Sequence, residues 1–269
     1  MPTERLNGID LYWEQAGVGP RLLMFNGSGS TIERMRPLFD VLATQFDVVL
    51  HDQRGLGRSE IPEGPYSMAE YAADAMALVD FLGWDTFNVI GISFGGMVAQ
   101  EFAVTAPERV ERLALLCTSP GGAGGSSYPL HKIRSMDASE RAAISMTIMD
   151  TRFTPEWLDE HPSDRLFVDG ISGQYGAKAG SEAERGEIEQ LNARSVHDVW
   201  DRLGRITAPT FIGAGRYDGI APLSNSEAMA QRIPNAELHV YEGGHGFFAQ
   251  DSSAFPEIFR FLAAKPLGA

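Results

Sequence analysis

A chain of 269 residues, 43% of them hydrophobic, can bury one large core, and its length allows one domain with an insertion or two small ones. Its 36 acidic and 22 basic side chains leave a formal net charge of -14, which argues against nucleic acid or an anionic membrane as partner. The single cysteine, Cys117, excludes an internal disulfide; with no apolar leader in MPTERLNGIDLYW and no run approaching a membrane span, a cytoplasmic setting is expected.

In chain order, Leu6-Asn7-Gly8-Ile9 joins two short alternating runs as a two-residue hairpin would, so the sheet is expected to open with antiparallel strands. Strands follow at Arg21 to Phe25, leading into NGSGS, and at Phe46 to His51, leading into DQRGLGRS. Ser67 and Glu70 have capping-box spacing and predict a helix from Ser67 to Leu82, with Tyr71, Ala75, Leu78, Val79 and Leu82 on one apolar face.

Thr86 to Ile92 then reads as a buried strand and Gly95 to Thr105 as a helix, with Ser93 between them inside a GxSxG pentapeptide. Glycines at 91 and 95 let the chain turn sharply and lift the Ser93 hydroxyl clear, while the helix N-terminus directs positive charge density at it. Ser93 is thus the candidate nucleophile, against the plainer reading of a serine N-cap on a glycine-rich turn. Val110 to Thr118 is the next strand and ends without a carboxylate. From Gly121 to Arg205 the strand-helix alternation stops: helices are predicted over Ala138 to Asp150, from Thr154-Pro155 and over Ser181 to Leu203, after a flexible GGAGG.

Pro209 to Gly215 resumes the strands and is followed by Asp218 on a turn, the candidate acid. Ala236 to Glu242 is the last strand, and His245 follows two glycines. Of the six histidines only His245 combines a strand end, a glycine-rich loop and a position beyond a suitable acid; His131, His161 and His197 read as surface or helix positions, while His239 lies in a strand and His51 closes one.

The order Ser93, Asp218, His245 is that of the α/β-hydrolase triad and differs from the orders in chymotrypsin-like and subtilisin-like enzymes. RLLMFNGSGS at Arg21 to Ser30 is similar to the first oxyanion loop of that superfamily, and HDQRGLGRS at His51 to Ser59 to its DxRGxGxS turn, so the chain resembles α/β-hydrolases over nearly its whole length. Asn26-Gly27 stands where the family usually has His-Gly, and the asparagine, expected to tie its loop together by hydrogen bonds, is similar to that of 3-oxoadipate enol-lactonase-like members; as a whole the chain resembles the capped serine hydrolases of the 3-oxoadipate enol-lactonase and carboxylesterase group. The resemblance implies a mostly parallel, eight-stranded sheet with helices on both faces, a core at residues 1–120 and 206–269, and a helical cap at 121–205. It also implies an oxyanion site made from the backbone amides of Ser28 and Phe94, with Asn26, Gly27 and Phe247 against the substrate and neither metal nor cofactor. Asp52 and Arg54 would brace the loops below through an ion pair, and Arg58 would face solvent.

The expected activity is hydrolysis of carboxylic esters or lactones through an acyl-enzyme. Phe94, Phe247 and Phe248 flank two triad members, and Met136, Met146, Met149, Phe153, Trp157 and Phe167 populate the cap; a cleft between cap and core would suit a small, mostly apolar substrate. A small molecule is the one partner expected, and the sequence does not set the oligomeric state. A C–C bond hydrolase of ring-fission products would keep the same triad, and a non-catalytic small-molecule receptor would keep the fold. Dehalogenases and epoxide hydrolases of this fold carry aspartate in place of Ser93, and the HGGPG loop of proline iminopeptidases is not matched.

Overall fold

The computed structural model describes residues 3–133, 136–171 and 180–264. Eight strands form one sheet in the order β1 (Thr3–Leu6), β2 (Ile9–Ala16), β4 (Asp47–His51), β3 (Arg21–Phe25), β5 (Phe87–Ile92), β6 (Val110–Leu116), β7 (Thr210–Gly215), β8 (Ala236–Tyr241). β1 pairs antiparallel with β2, and β2 with β4; every other neighbour is parallel. The opening hairpin turns through Asn7 and Gly8, both at positive φ (46° and 80°), as a tight turn of matching twist requires. Each strand expected from the sequence lies within two residues of its observed bounds.

Helices α1 (Ile32–Leu42), α2 (Met68–Phe81) and α3 (Phe94–Thr105) alternate with strands as far as β6. Then α4 (Leu130–Ile133), α5 (Ala138–Met149), α6 (Pro155–Glu160), α7 (Pro162–Ile171) and α8 (Glu182–Ser195) fill the interval before β7, and α9 (Leu223–Arg232), α10 (Phe247–Gln250) and α11 (Ala254–Ala263) follow. Strand side chains alternate between two cores. Leu23, Phe25, Val89, Leu113 and Ile212 pack towards α2 and α3, whereas Leu22, Met24, Ile90, Ile92 and Leu116 pack towards α1 and α11. β5 and β7 are buried at every position, which is why their sequences are mostly small and apolar, with Asn88 and Thr210 as the exceptions. α2 starts with the predicted capping box: Ser67 Oγ accepts from the Glu70 amide, and a Glu70 carboxylate oxygen accepts from the Ser67 amide.

Among the described residues of the interval 121–205 every element is helical, apart from a single bridge between Gly121 and Asp198; residues 134, 135 and 172–179 lie outside the described residues. The helix expected over Ser181 to Leu203 is shorter than the sequence implied. It ends at Ser195, and a 3-10 segment, Trp200–Arg205, follows. The chain must break there so that the Val199 amide can reach the Pro120 carbonyl (3.0 Å) and Asp198 can bridge to Gly121. Arg202, bidentate on Glu101 of α3 at 2.6 and 2.7 Å, fastens the return into the sheet.

β3 and β5 are neighbours, and the connections leave their C-terminal ends in opposite directions, from β3 towards β4 and from β5 towards β6. Such a switch point opens a crevice at the C-terminal ends of the strands. Asn26 and Ser93 both lie there.

Candidate active site

Ser93 joins β5 to α3 with φ 55° and ψ −115°, a backbone state that costs a residue with a side chain about 1–3 kcal/mol and persists only where packing enforces it. The glycines flanking it supply the enforcement. A Cβ on Gly95 would meet the Phe25 carbonyl oxygen at 2.2 Å, and one on Gly91 would meet the Gly95 carbonyl oxygen at 2.5 Å. The elbow therefore closes only with glycine at both places. Thr118 Oγ1 donates to the Ser93 carbonyl at 2.7 Å and pins the turn from β6's side.

His245 Nε2 lies 2.9 Å from Ser93 Oγ, and His245 Nδ1 lies 2.8 Å from Asp218 Oδ2. Asp218 Oδ1 accepts from the amides of Ile220 and Ala221, both at 2.8 Å, so each carboxylate oxygen is engaged and the plane of the group is fixed. The three residues lie 125 and 27 positions apart in the chain (218 − 93 and 245 − 218), and the ends of β5, β7 and β8 bring them together. With Nδ1 donating to the carboxylate, Nε2 is left to accept the serine proton, so the arrangement can generate a nucleophilic alkoxide without further rearrangement.

Gly27 lies against the elbow: a Cβ there would be 3.7 Å from Ser93 Cβ. The loops carrying the amides of Ser28 and Phe94 are thereby neighbours. Asn26 departs from expectation, because its side-chain amide is fully buried with neither Oδ1 nor Nδ2 hydrogen-bonded among the described residues. The loop is tied instead by two glutamines. Gln53 Nε2 donates to the Asn26 carbonyl at 2.9 Å, and Gln190 Oε1 of α8 accepts from the Gly29 amide at 2.7 Å. Gln190 Nε2 reaches Gln53 Oε1 at 3.4 Å and links the two. A groove of about 640 Å³ lined by Gly29, Thr31, Leu56, Ala183 and Glu187 opens beside this loop, and none of Ser93, Asp218 and His245 lines it.

Phe247 is a second correction. Its ring is fully buried in the core beneath the sheet, stacked on Tyr241 with centroids 4.9 Å apart and planes at 2°, so it supports the His245 loop rather than facing a substrate. The Phe94 ring likewise turns inward, edge-on to Tyr71 at 5.0 Å. The ion pair expected of Asp52 and Arg54 is not formed between them. Arg54 grips Asp74 with two nitrogens (2.7 and 2.8 Å) and Glu70 with a third (2.6 Å), while Asp52 accepts from the amides of Ile32 and Arg58. Arg58 is exposed, as expected.

His197 was expected at a surface or helix position and is instead buried, its imidazole pushed down to about 4 by desolvation. His51 is held down to about 4 for the same reason and packs edge-on against Phe25. His161 stacks on Trp157, and His239 on Phe211. Among the described residues no three His, Cys, Asp or Glu side chains gather as a metal site, and no helix is long and apolar enough to cross a membrane.

The helical insertion touches the Asp218 and His245 loops through backbone. Met149 carbonyl accepts from the His245 amide at 2.6 Å, Ile148 carbonyl from the Gly219 amide at 3.0 Å, and Tyr217 carbonyl from the Thr151 amide at 2.9 Å. Asp150, fully buried, accepts from Arg152 and Gln250, and Gln250 Oε1 in turn takes the Gly244 amide at 2.8 Å. Phe167 packs on Gly246, where a Cβ would meet its ring at 2.4 Å. Sequence patterning missed Gln53, Gln190, Asp150 and Gln250. The one legible signal was the four-residue spacing of Gly186, Gln190 and Arg194 on α8.

The family described as alpha/beta hydrolase fold matches residues 20–139. A poly(3-hydroxyalkanoate) depolymerase from Ectopseudomonas oleovorans is 33% identical over 252 residues, covering 90% of this chain and 83% of the relative. The 3-oxoadipate enol-lactonase 2 of Acinetobacter baylyi is 26% identical, covering 88% and 85%. The crystal structure of an enol-lactonase from Burkholderia xenovorans shares the fold, with a TM-score of 0.78 at 22% identity over 98% of this chain and all of that one.

Proposed function

The chain belongs to the α/β-hydrolase fold family, and on that premise we propose that it is a serine hydrolase of carboxylic esters or lactones working through an acyl-enzyme on Ser93. The observation that carries the reading is the relay from Asp218 Oδ2 through His245 to Ser93 Oγ, at 2.8 and 2.9 Å, on an elbow whose strained backbone is enforced by Gly91 and Gly95. Ser93 Oγ attacks the substrate carbonyl while its proton passes to His245 Nε2. The amides of Ser28 and Phe94 hold the oxyanion, each such donor being worth about 3 kcal/mol of transition-state stabilisation. The tetrahedral adduct collapses, the C–O bond breaks, and the departing alkoxide takes the proton back from His245. Water then enters and attacks the acyl carbonyl as it loses a proton to the same nitrogen; the bond to Ser93 Oγ breaks, that oxygen takes the proton back from His245, and the acid is released. In a lactone the alcohol and the acid leave as one molecule.

The insertion between β6 and β7 acts as a cap in this reading, and its backbone bonds to the Asp218 and His245 loops support that role. A biotinylated fluorophosphonate followed by peptide mass spectrometry tests the nucleophile. Modification of the peptide carrying Ser93, abolished in Ser93→Ala, is expected, because only an activated hydroxyl reacts fast. A panel of short esters, lactones and a vinylogous diketone tests the reaction class: a diketone cleaved faster than every ester and lactone would move the assignment to a C–C hydrolase, and labelling without turnover of any of them would favour a receptor.

A further inference from the structure

Arg194 is a guanidinium with no part in the relay to Ser93. It lies on α8 and is buried (5% exposed), yet among the described residues it forms no ion pair, and its Nε and Nη2 have no hydrogen-bond partner. Among the described residues only Nη1 is engaged, donating to the Tyr128 carbonyl at 2.7 Å. A lone buried cation with idle donors is costly, and buried guanidinium groups are ordinarily matched by an anion.

Three contacts locate it at the seam between insertion and core. Residues at a spacing of four share one helix face, and on α8 that face runs from Gly186, pressed on Gly55, through Gln190, which holds the Gly29 amide beside the Ser28 loop, to Arg194. Arg194 itself bonds Tyr128, whose amide donates to the Ile220 carbonyl at 2.7 Å, two residues beyond Asp218. Asp218 is the negative charge that Arg194 feels, but both oxygens of that carboxylate are taken by His245 and by the Ile220 and Ala221 amides. The charge that would satisfy Arg194 must come from elsewhere.

We infer that Arg194 is a specificity-determining residue that takes a carboxylate on the substrate, so that the esters or lactones cleaved at Ser93 carry a free acid group. This rests on the ester or lactone reading and narrows it, from the small apolar substrates the sequence implied to a short apolar chain with an anionic end. Burial lowers the Arg194 guanidinium only to about 10, so it stays charged at neutral pH. Its idle Nε and Nη2 can meet the two oxygens of a carboxylate side by side.

The test compares mono-4-nitrophenyl esters of succinic, glutaric and adipic acids with the neutral 4-nitrophenyl butyrate, valerate and hexanoate. A charged hydrogen-bond pair is worth roughly 10- to 100-fold, so wild-type kcat/KM should favour one acid-bearing ester over its neutral counterpart by at least about tenfold. That ratio should collapse towards one in Arg194→Gln and fall less in Arg194→Lys, which keeps the charge and loses the fork. Calorimetric binding of glutarate and adipate to Ser93→Ala needs no turnover and no Arg194 variant; the tighter of the two should bind, and neutral pentanol should not. A wild-type ratio at or below one for all three pairs together with no binding of either dicarboxylate overturns the inference, and so does a ratio unchanged in folded Arg194→Gln. If no ester of either kind is turned over, the hydrolase reading fails on its own, and dicarboxylate binding decides the Arg194 site separately.

Discussion

At the scale of single residues the elbow at Ser93 leaves almost no room. Gly95→Ala drives a Cβ into the Phe25 and Asn26 carbonyl oxygens, at 2.2 and 2.6 Å, and the backbone at Ser93 or β3 has to yield. The expected outcome is loss of most ester turnover with a drop in melting temperature, read by steady-state rates and thermal unfolding; unaltered values for both would mean that the elbow is looser than described. The triad should behave as one unit. Combining Ser93→Ala with His245→Ala should cost little more than either alone, and Asp218→Asn, which leaves His245 Nδ1 without its acceptor, should lower kcat by orders of magnitude; a double variant whose loss reaches the product of the two single losses would contradict the unit. These three residues were legible because each stands at a strand end beside glycines and in a diagnostic order. Asn26, Phe247 and Arg194 were not. Whether Phe247 faces a cleft or Tyr241, and whether Arg194 meets a carboxylate, depends on neighbours that periodicity cannot name.

Among the elements, α8 illustrates the limit of pattern reading. Its 14 residues are largely polar and carry little apolar periodicity, so the sequence marks only a helical stretch, yet Gly186, Gln190 and Arg194 place it across both sides of the crevice. Gln190→Ala should free the Gly29 amide and loosen the loop bearing Ser28. We expect kcat to fall by about tenfold with KM changed far less, since a donor to the oxyanion acts in the transition state rather than in the bound substrate. A rise in KM at constant kcat would assign Gln190 to substrate binding instead. α2 was read to within a residue because its capping box is a local signal and its buried face includes Tyr71, Ala75, Leu78 and Val79. Ser67→Ala should remove about 1 kcal/mol of stability, measured by urea unfolding, and leave turnover intact; a change in kcat there would tie α2 to the site.

For the molecule as a whole, two buried histidines set a prediction about acid. His51 and His197 are held down to about 4 by burial, against an ordinary value near ~6.5. Between those values the unfolded chain binds protons that the folded chain refuses, so stability present at neutral pH is lost as pH falls from about 6.5 to about 4, by up to roughly 3 kcal/mol for each ring. The Asp52 carboxyl, pushed up by burial, acts in the opposite sense at the lower end of that range. Urea unfolding of His51→Phe should show a shallower loss between pH 7 and pH 5 than wild type, and an equal slope would mean that His51 titrates normally. The mostly parallel sheet with its antiparallel opening, the two-faced packing and the helical interval after β6 were foreseeable, since apolar strand runs alternate with helical stretches as far as β6 and that alternation stops at Gly121. How the helical interval docks was not, because its contacts to His245 and Gly219 run through backbone carbonyls of Met149 and Ile148 that carry no side-chain signature. The central claim, that Ser93 is the nucleophile of an ester hydrolase, is tested most directly by the rate at which wild type and folded Ser93→Ala release 4-nitrophenol from 4-nitrophenyl butyrate. The account predicts that the variant loses at least about a thousandfold in kcat, whereas a folded variant retaining more than roughly a tenth of the wild-type rate would contradict it.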